Sequence, residues 1–167
     1  MPKKIGITTT TTAAIASALL LMAPILASAA SPHFIGTPSY TKSSSGALTV
    51  KFKAAGLANL PTGAFLTASE VTAELQCVNP GGNNPPPKTA IFGPETGPTT
   101  NLPVRNGQIT GSATLSPPSQ QQLQNAADCP NPNWTVKLVS ITYSDVTLHI
   151  QQSGQDILTY NFGDIDP

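Results

Sequence analysis

Hydrophobic and polar residues alternate with a period of two along much of the chain. The pattern is clearest in residues 48–53 and residues 68–78, where apolar residues recur at every second position. These are Leu48, Val50 and Phe52 in the first segment, and Val71, Ala73, Leu75 and Cys77 in the second. Successive side chains of a β-strand point to opposite faces, so each segment is predicted to form a half-buried strand.

Further short runs of apolar and β-branched residues are separated by Gly, Pro and Asn. They comprise residues 89–92, 99–105, 108–115, 134–143, 146–151 and 157–162, with a weak edge strand around residues 33–35. Asn106-Gly107 tolerates the positive φ angles of a type I′ turn, which predicts a hairpin between the two runs beside it. The apolar parity shifts near Leu138, which predicts a bulge or a strand buried on both faces.

Seven to eight short strands without alternating helices predict an all-β fold. The expected architecture is an antiparallel β-sandwich of Ig-like or jelly-roll-like type with one disulfide. Residues 56–63, punctuated by Pro61, are predicted to be a connection, and residues 79–88 a long exposed loop. Residues 116–133 form a second insertion, in which Ser119 is expected to cap a short helix over residues 120–127.

The first residues have the order of a secretory signal peptide. Lys3 and Lys4 precede an apolar stretch over residues 13–26, and small residues follow it. This order predicts cleavage after Ala29 or Ala30, with an uncleaved anchor as the alternative. We therefore divide the chain into a signal peptide (1–29), a flexible N-terminus or edge strand (30–46), a β-sandwich domain (47–163) and a frayed acidic tail (164–167).

The composition narrows the class of protein. Charged residues make up 10% of the chain, and Gly 13 and Pro 17 interrupt it often, which excludes a long helical bundle or a coiled coil. Lys+Arg 8 balance Asp+Glu 8, so a basic surface for nucleic acid is not expected. No second apolar run follows the leader, so we expect a secreted or cell-surface protein without a membrane span.

Cys77 and Cys129 are the two cysteines of the chain. In an oxidising compartment an isolated pair most simply forms a disulfide, here between facing sheets. The closed loop of about 50 residues would contribute roughly 4 kcal/mol in the chain-entropy model. A catalytic thiol or a metal site is the alternative, but no Cys-x-x-Cys spacing supports it.

The sequence shows no catalytic constellation, and we expect neither enzymatic activity nor a cofactor or metal. His149 falls on the polar parity of its strand and is expected to be solvated. Glu70 and Glu74 would lie roughly 13 Å apart in an extended strand, too far for a glycosidase pair. Two further alternatives are a hydrolytic pair of Asp145 and Glu95, and a calcium site built from Asp156, Asp164 and Asp166.

Aromatic residues and one glycosylation motif are candidate contact sites. Trp134 and Tyr143, together with Tyr40 and Tyr160, would form a platform that stacks against sugars if exposed, although a Trp packed beside a disulfide in the core is the favoured interpretation. Asn133-Trp134-Thr135 matches the acceptor pattern for N-glycosylation at Asn133.

Two motifs carry a resemblance to a known group. One is the segment from Cys77 to Pro85, with a Cys-x-Asn-x-Gly-Gly core, and the other is Cys129-Pro130 followed by residues 138–148. Together they resemble a family of small exported proteins known mainly from bacterial genome sequences. The resemblance implies export, a paired cysteine and a β-rich domain, and implies no activity. Residues 161–164 depart from the Pro-Gly-Thr-Phe-like ending of that group.

These observations lead to a functional hypothesis of contact rather than catalysis. We expect a secreted or surface-associated, non-enzymatic protein that acts through an exposed sheet edge or through its loops. The candidate binding loop comprises Asn79, Gly81, Gly82, Asn83 and Asn84. The alternative is a polysaccharide-binding module that uses Trp134 and Tyr143, so the partner is expected to be a cell-surface glycan or a protein.

Overall fold

The computed structural model describes residues 31–82 and 84–167. Within them the backbone forms eleven strands and one helix. In chain order these are β1 (His33–Phe34), β2 (Ser39–Lys42), β3 (Leu48–Ala55), β4 (Thr62–Ala68), β5 (Glu70–Val78), β6 (Lys88–Phe92), β7 (Glu95–Thr96), β8 (Thr100–Leu102), β9 (Gln108–Leu115), α1 (Gln120–Ala127), β10 (Thr135–Gln152) and β11 (Gln155–Ile165). The predicted signal peptide and Asn83 lie outside the described residues.

The strands form two antiparallel sheets of four and seven strands. In the smaller sheet β3 is central, with β9 on one side and β2 and β1 on the other. In the larger sheet β10 is central, with β5 and β4 on one side and β11 on the other. The predicted all-β sandwich is confirmed, with more strands than the seven or eight expected.

The main core lies between the two sheets and is built by the alternating positions. The predicted inward residues of β3, namely Leu48, Val50 and Phe52, are buried there. They pack against buried residues of the larger sheet such as Leu66 and Leu148. Burying one such side chain contributes about 1.5–3 kcal/mol, so the period-two pattern accounts directly for this layer.

A second, smaller core lies under α1, beyond the main core. It contains the buried residues Ala73, Leu75, Cys77, Ala90, Leu123, Ala127 and Val136. The helix begins as predicted after Ser119, whose side chain accepts a hydrogen bond from the backbone N–H of Gln122 in a capping box. The helix therefore supplies an apolar cover for the strands that the predicted sandwich would have covered with a second sheet.

The disulfide between Cys77 and Cys129 is confirmed. It joins β5 to the segment that follows α1, so the expectation of a bridge between facing sheets is wrong. Two helix side chains support the same attachment. Gln120 Nε2 donates to the carbonyl oxygen of Val136 (3.0 Å) and Gln124 Nε2 donates to that of Trp134 (2.9 Å). The helix and its covalent link thus hold the beginning of β10 in place.

The strand β10 contains the predicted bulge. Leu138 pairs with Leu75 and Ser140 pairs with Glu74, so Val139 has no opposite residue on β5. Val139 is 48% exposed. The runs at residues 134–143 and 146–151, which were predicted as separate strands, form one strand, because the backbone continues through Asp145 with a positive φ of 52°.

The turn at Asn106-Gly107 is confirmed, but the hairpin is not. Both residues have positive φ angles (50° and 71°), and Arg105 and Gln108 exchange two backbone hydrogen bonds of 2.9 Å. The incoming strand β8 pairs with β4 in the larger sheet, whereas β9 pairs with β3 in the smaller one. Pro103 has no N–H to donate, which prevents the ladder from extending. The chain therefore passes from the larger sheet to the smaller one at this turn.

Two predicted boundaries are wrong. The predicted connection over residues 56–63 ends too late, because β4 begins at Thr62 and continues to Ala68, and a Cβ added to Gly63 would lie 2.6 Å from the side chain of Thr99. The glycine is thus a site of close packing within a strand rather than a turn signal. The predicted tail also begins too early, since β11 continues to Ile165, which is buried opposite Tyr143.

The N-terminal segment forms edge strands, which is one of the two predicted alternatives. Residues 30–46 were expected to be flexible or an edge strand, and the described part contains two edge strands, β1 and β2. Both pair with the same side of β3.

Candidate functional site

The predicted binding loop folds back on itself. The backbone N–H of Asn79 donates to Oδ1 of Asn84 (2.8 Å), and the N–H of Gly81 donates to Oδ1 of Asn79 (2.9 Å). Gly81, Gly82 and Asn84 are exposed. These amide contacts shape the loop itself, and its role in binding stays a prediction.

An exposed platform of Trp134 and Tyr143 is not formed. Tyr143 is completely buried, and its hydroxyl donates a hydrogen bond to the carbonyl oxygen of Gly46. Burial raises the pKa of Tyr143 to about 12, with a smaller contribution from the negative charge of Glu95. Trp134 is half-buried and packs against the small core, against which Cys129 also packs. The glycan-stacking pair is therefore wrong.

Asn133 of the glycosylation motif is exposed, and its backbone N–H donates to Oδ1 of Asn131 (2.9 Å). The turn thus presents the Asn133 side chain at the surface next to a half-buried Trp134. Glycosylation at this position stays a prediction.

The candidate acidic groups are dispersed into separate contacts. Glu74 accepts a hydrogen bond from the hydroxyl of Ser140 (3.0 Å), and Glu70 accepts one from Thr72 (3.2 Å). Asp145 is exposed, so it does not form the buried pair with Glu95 that hydrolysis would need. Within residues 31–82 and 84–167, no three His, Cys, Asp or Glu side chains are grouped closely enough to hold a metal ion.

His149 forms a hydrogen-bond network that sequence reasoning missed. Its Nε2 lies 3.0 Å from the hydroxyl of Thr67, and its Nδ1 lies 2.8 Å from Oδ2 of Asp156. Its ring stacks on Phe65 with centroids 4.8 Å apart and planes 4° from parallel. The expectation of a solvated histidine is therefore wrong, because β4 places two partners beside it.

This network lowers the pKa of the Asp156 carboxyl group. Burial alone would raise its pKa, but hydrogen bonds from His149 and Gln151, and the charge of His149, outweigh burial and lower it. The carboxylate therefore stays ionised at the beginning of β11.

A hydroxyl, an imidazole and a carboxylate in this order can activate a nucleophile. Acyl transfer also needs N–H donors aimed at the developing oxyanion. Thr67, however, lies inside β4 and pairs with Thr147 on one side and Thr96 on the other. The hydrogen bonds among Thr67, His149 and Asp156 instead hold these side chains in place on the outer face of the larger sheet, next to β11.

Four aromatic side chains form a continuous strip, which we call the aromatic edge, where the two sheets meet. Its members are Phe34 of β1, Tyr40 of β2, and Tyr160 and Phe162 of β11. Neighbouring rings meet edge to face, with centroids 5.7, 4.8 and 5.8 Å apart along the strip. Tyr40 is 48% exposed and the other three rings are half-buried. The strip closes the sandwich while leaving aromatic surface at its border.

Beside the aromatic edge runs the open side of β11. Among the described strands β11, with 11 residues, is the longest that pairs with a single neighbour. The next longest is β9, with 8 residues and β3 as its one partner. An open edge exposes unpaired backbone N–H and C=O groups to any extended chain. The strand and the aromatic edge therefore form one candidate contact surface.

The far end of β11 is partly closed. The N–H of Gly163, which has a positive φ of 71°, donates to Oδ1 of Asn161. Lys42 Nζ donates to the backbone oxygens of Asp166 (2.6 Å) and Ile141 (2.9 Å). Such local bonds blunt an edge, so the more open segment is the first half of β11, residues 155–160, which contains one register shift at Ile157.

Sequence reasoning named a sheet edge as one contact site without locating it, and named Tyr40 and Tyr160 as sugar-stacking candidates without placing them on that edge. The local signal available was the shared parity of Tyr160 and Phe162. Their meeting with Phe34 and Tyr40 depends on contacts between opposite ends of the chain, which no local pattern reveals.

No family model matches the chain, and neither a curated protein nor a solved structure matches it. The resemblance to small exported proteins therefore stays a prediction. The described part of the chain contains no helix with the length and hydrophobicity needed to cross a membrane.

Proposed function

We propose that this is an exported, non-enzymatic β-sandwich protein that acts by binding another protein at the aromatic edge and the open side of β11. The observation that carries this proposal is that β11, the longest single-partner strand in the described part of the chain, runs beside an aromatic strip. Edges of this length are usually protected in monomeric proteins, because they recruit other strands. Tyrosine side chains give large contact area at low entropic cost and are enriched at interfaces.

Export is supported by two independent features. The sequence begins with a signal-like segment, and the structure contains a disulfide, a bond that persists chiefly in oxidising compartments. A protein displayed or secreted in this way would meet partners without needing catalytic groups.

The proposal is tested by the binding of the oxidised protein to the cells that produce it. The variant Tyr40→Ser removes the most exposed ring of the aromatic edge, and Ile91→Ser is the matched control because Ile91 is 67% exposed on β6, away from β11. We expect Tyr40→Ser to weaken binding about tenfold, as for an interface aromatic, and Ile91→Ser to leave it unchanged. Equal binding by both variants and the wild type would contradict the proposal.

A further inference from the structure

We propose that the partner contributes an extended segment with alternating apolar and basic residues, which adds to β11 as a new strand. This inference rests on the proposed function and specifies the chemistry of its partner. Strand addition uses backbone hydrogen bonds for affinity and alternating side chains for specificity. The two faces bordering β11 differ in character, and each selects one set of those side chains.

The inner border of β11 is aromatic. Tyr160 and Phe162 point toward Phe34 and Tyr40 of the smaller sheet. In an added strand every second side chain would lie against this strip. Apolar side chains at those positions would cover the rings and extend the main core outward.

The outer border of β11 is acidic. Four of the eight acidic residues of the chain, namely Asp145, Asp156, Asp164 and Asp166, fall in residues 143–167, a segment without Lys or Arg. On this face of β11 Asp156 contacts His149, and Asp164 Oδ1 accepts a hydrogen bond of 2.9 Å from the backbone N–H of Asp145 in β10. These contacts leave both groups at the exposed surface. The outward side chains of an added strand would therefore be stabilised by positive charge.

A second copy of this chain is a poor occupant of the same edge. A two-fold antiparallel pairing that uses the whole of β11 is centred on Tyr160, so Asp156 of each copy would face Asp164 of the other. Like charges directly opposite each other destabilise a pair of strands. Self-pairing would also bring together two segments that each carry four Asp and no Lys or Arg, with Lys42 of the smaller sheet lying beside Asp166 at the far end.

The test uses three synthetic ten-residue peptides and the oxidised protein. One peptide alternates Val with Lys, the second replaces each Lys by Glu, and the third keeps the Lys residues but has Pro at alternate positions. Affinity is measured by fluorescence anisotropy at two salt concentrations. The site is located by hydrogen exchange of backbone amides, followed by mass spectrometry.

We expect the Val-Lys peptide to slow amide exchange in residues 155–160 and to bind at least tenfold more tightly than the Glu peptide. Its affinity should fall as salt rises, and the Pro peptide should not bind. Tyr40→Ser should weaken the binding of the Val-Lys peptide, whereas Ile91→Ser should leave it unchanged.

The remaining outcomes separate the two proposals. Equal protection of β11 by the Lys and Glu peptides would contradict the proposal of a basic partner but would still support binding at the open side of β11. Protection of β11 by self-association without peptide would overturn the basic partner in favour of a second copy. If no peptide protects β11, or if protection falls on β6 or β9, both proposals are wrong.

Discussion

The hydroxyl of Tyr143 donates a hydrogen bond of 2.8 Å to the carbonyl oxygen of Gly46, although the two residues are 97 positions apart. Tyr143 lies in β10 of the larger sheet, and Gly46 lies in the turn between β2 and β3 of the smaller one. This buried bond therefore joins the two sheets at the turn that follows β2, the strand carrying Tyr40.

Tyr143→Phe should lower the free energy of unfolding by about 1–3 kcal/mol, because it leaves the Gly46 carbonyl without its donor. Urea unfolding measures the change, and Tyr40→Phe is the control because it removes a hydroxyl from an exposed ring. Equal stability of the wild type and Tyr143→Phe would show that water replaces the bond.

The same pair of proteins gives a pH prediction. The pKa of Tyr143 is raised from 10.0 to about 12 in the folded protein. A raised pKa contributes stability that is complete below pH 10 and is lost as the pH rises through 12. The wild type should therefore lose its advantage over Tyr143→Phe, on the order of 2 kcal/mol, between those values. A difference that stays constant with pH would contradict this assignment.

The contact between His149 and Asp156 predicts the opposite dependence. The pKa of Asp156 lies below its ordinary value of 3.8, so its contribution is complete above that pH and is lost as the pH falls further. Asp156→Asn should lower the melting temperature at pH 7 and have little effect near pH 2. Asp128→Asn, which changes an exposed carboxylate elsewhere, should show no such difference.

Removal of the disulfide should lower the stability of the whole domain and, in addition, loosen the segment around α1. Replacing Cys77 and Cys129 with Ser should lower the free energy of unfolding by roughly 2–5 kcal/mol. Because the bond ties the end of α1 to β5, amide exchange should accelerate first in α1 and residues 128–134. Protection in β3 and β9 should persist under native conditions. Uniform acceleration across both sheets would argue against a separate small core.

Gly97 directly follows β7 of the larger sheet and packs closely against β9 of the smaller one. A Cβ at this position would be 2.3 Å from the backbone oxygen of Thr114. Gly97→Ala should therefore force a backbone shift and destabilise the fold by about 1–3 kcal/mol. Gly93→Ala is the matched control, because a Cβ there meets nothing within 4 Å. Similar thermal melting of the two variants would contradict the packing described here.

The features that the sequence predicted are local ones. The burial of Leu48, Val50 and Phe52 follows from alternation, and the cap at Ser119 follows from side-chain chemistry within one turn. The bulge at Val139 was visible as a change of parity. Each depends on residues close together in the chain, so a single sequence carries the information.

The features that the sequence did not predict depend on which strands become neighbours. The stack of His149 on Phe65 requires the register between β10 and β4, and the sequence had suggested no strand over residues 62–67. The hairpin prediction failed for the same reason, since a two-residue turn does not determine the sheet that each arm joins. The aromatic edge combines β1, β2 and β11 and so needs the complete topology.

The most direct test of the central claim is site-specific photo-crosslinking in the organism that produces the protein. A photoreactive phenylalanine analogue replaces Tyr40 in one variant and Ile91 in the other, and both proteins are otherwise unchanged. We predict a discrete protein adduct from position 40, with the crosslinked peptide of the partner rich in Lys or Arg, and none from position 91. Adducts of equal yield from both positions, or no protein adduct from position 40, would contradict a contact function at the aromatic edge.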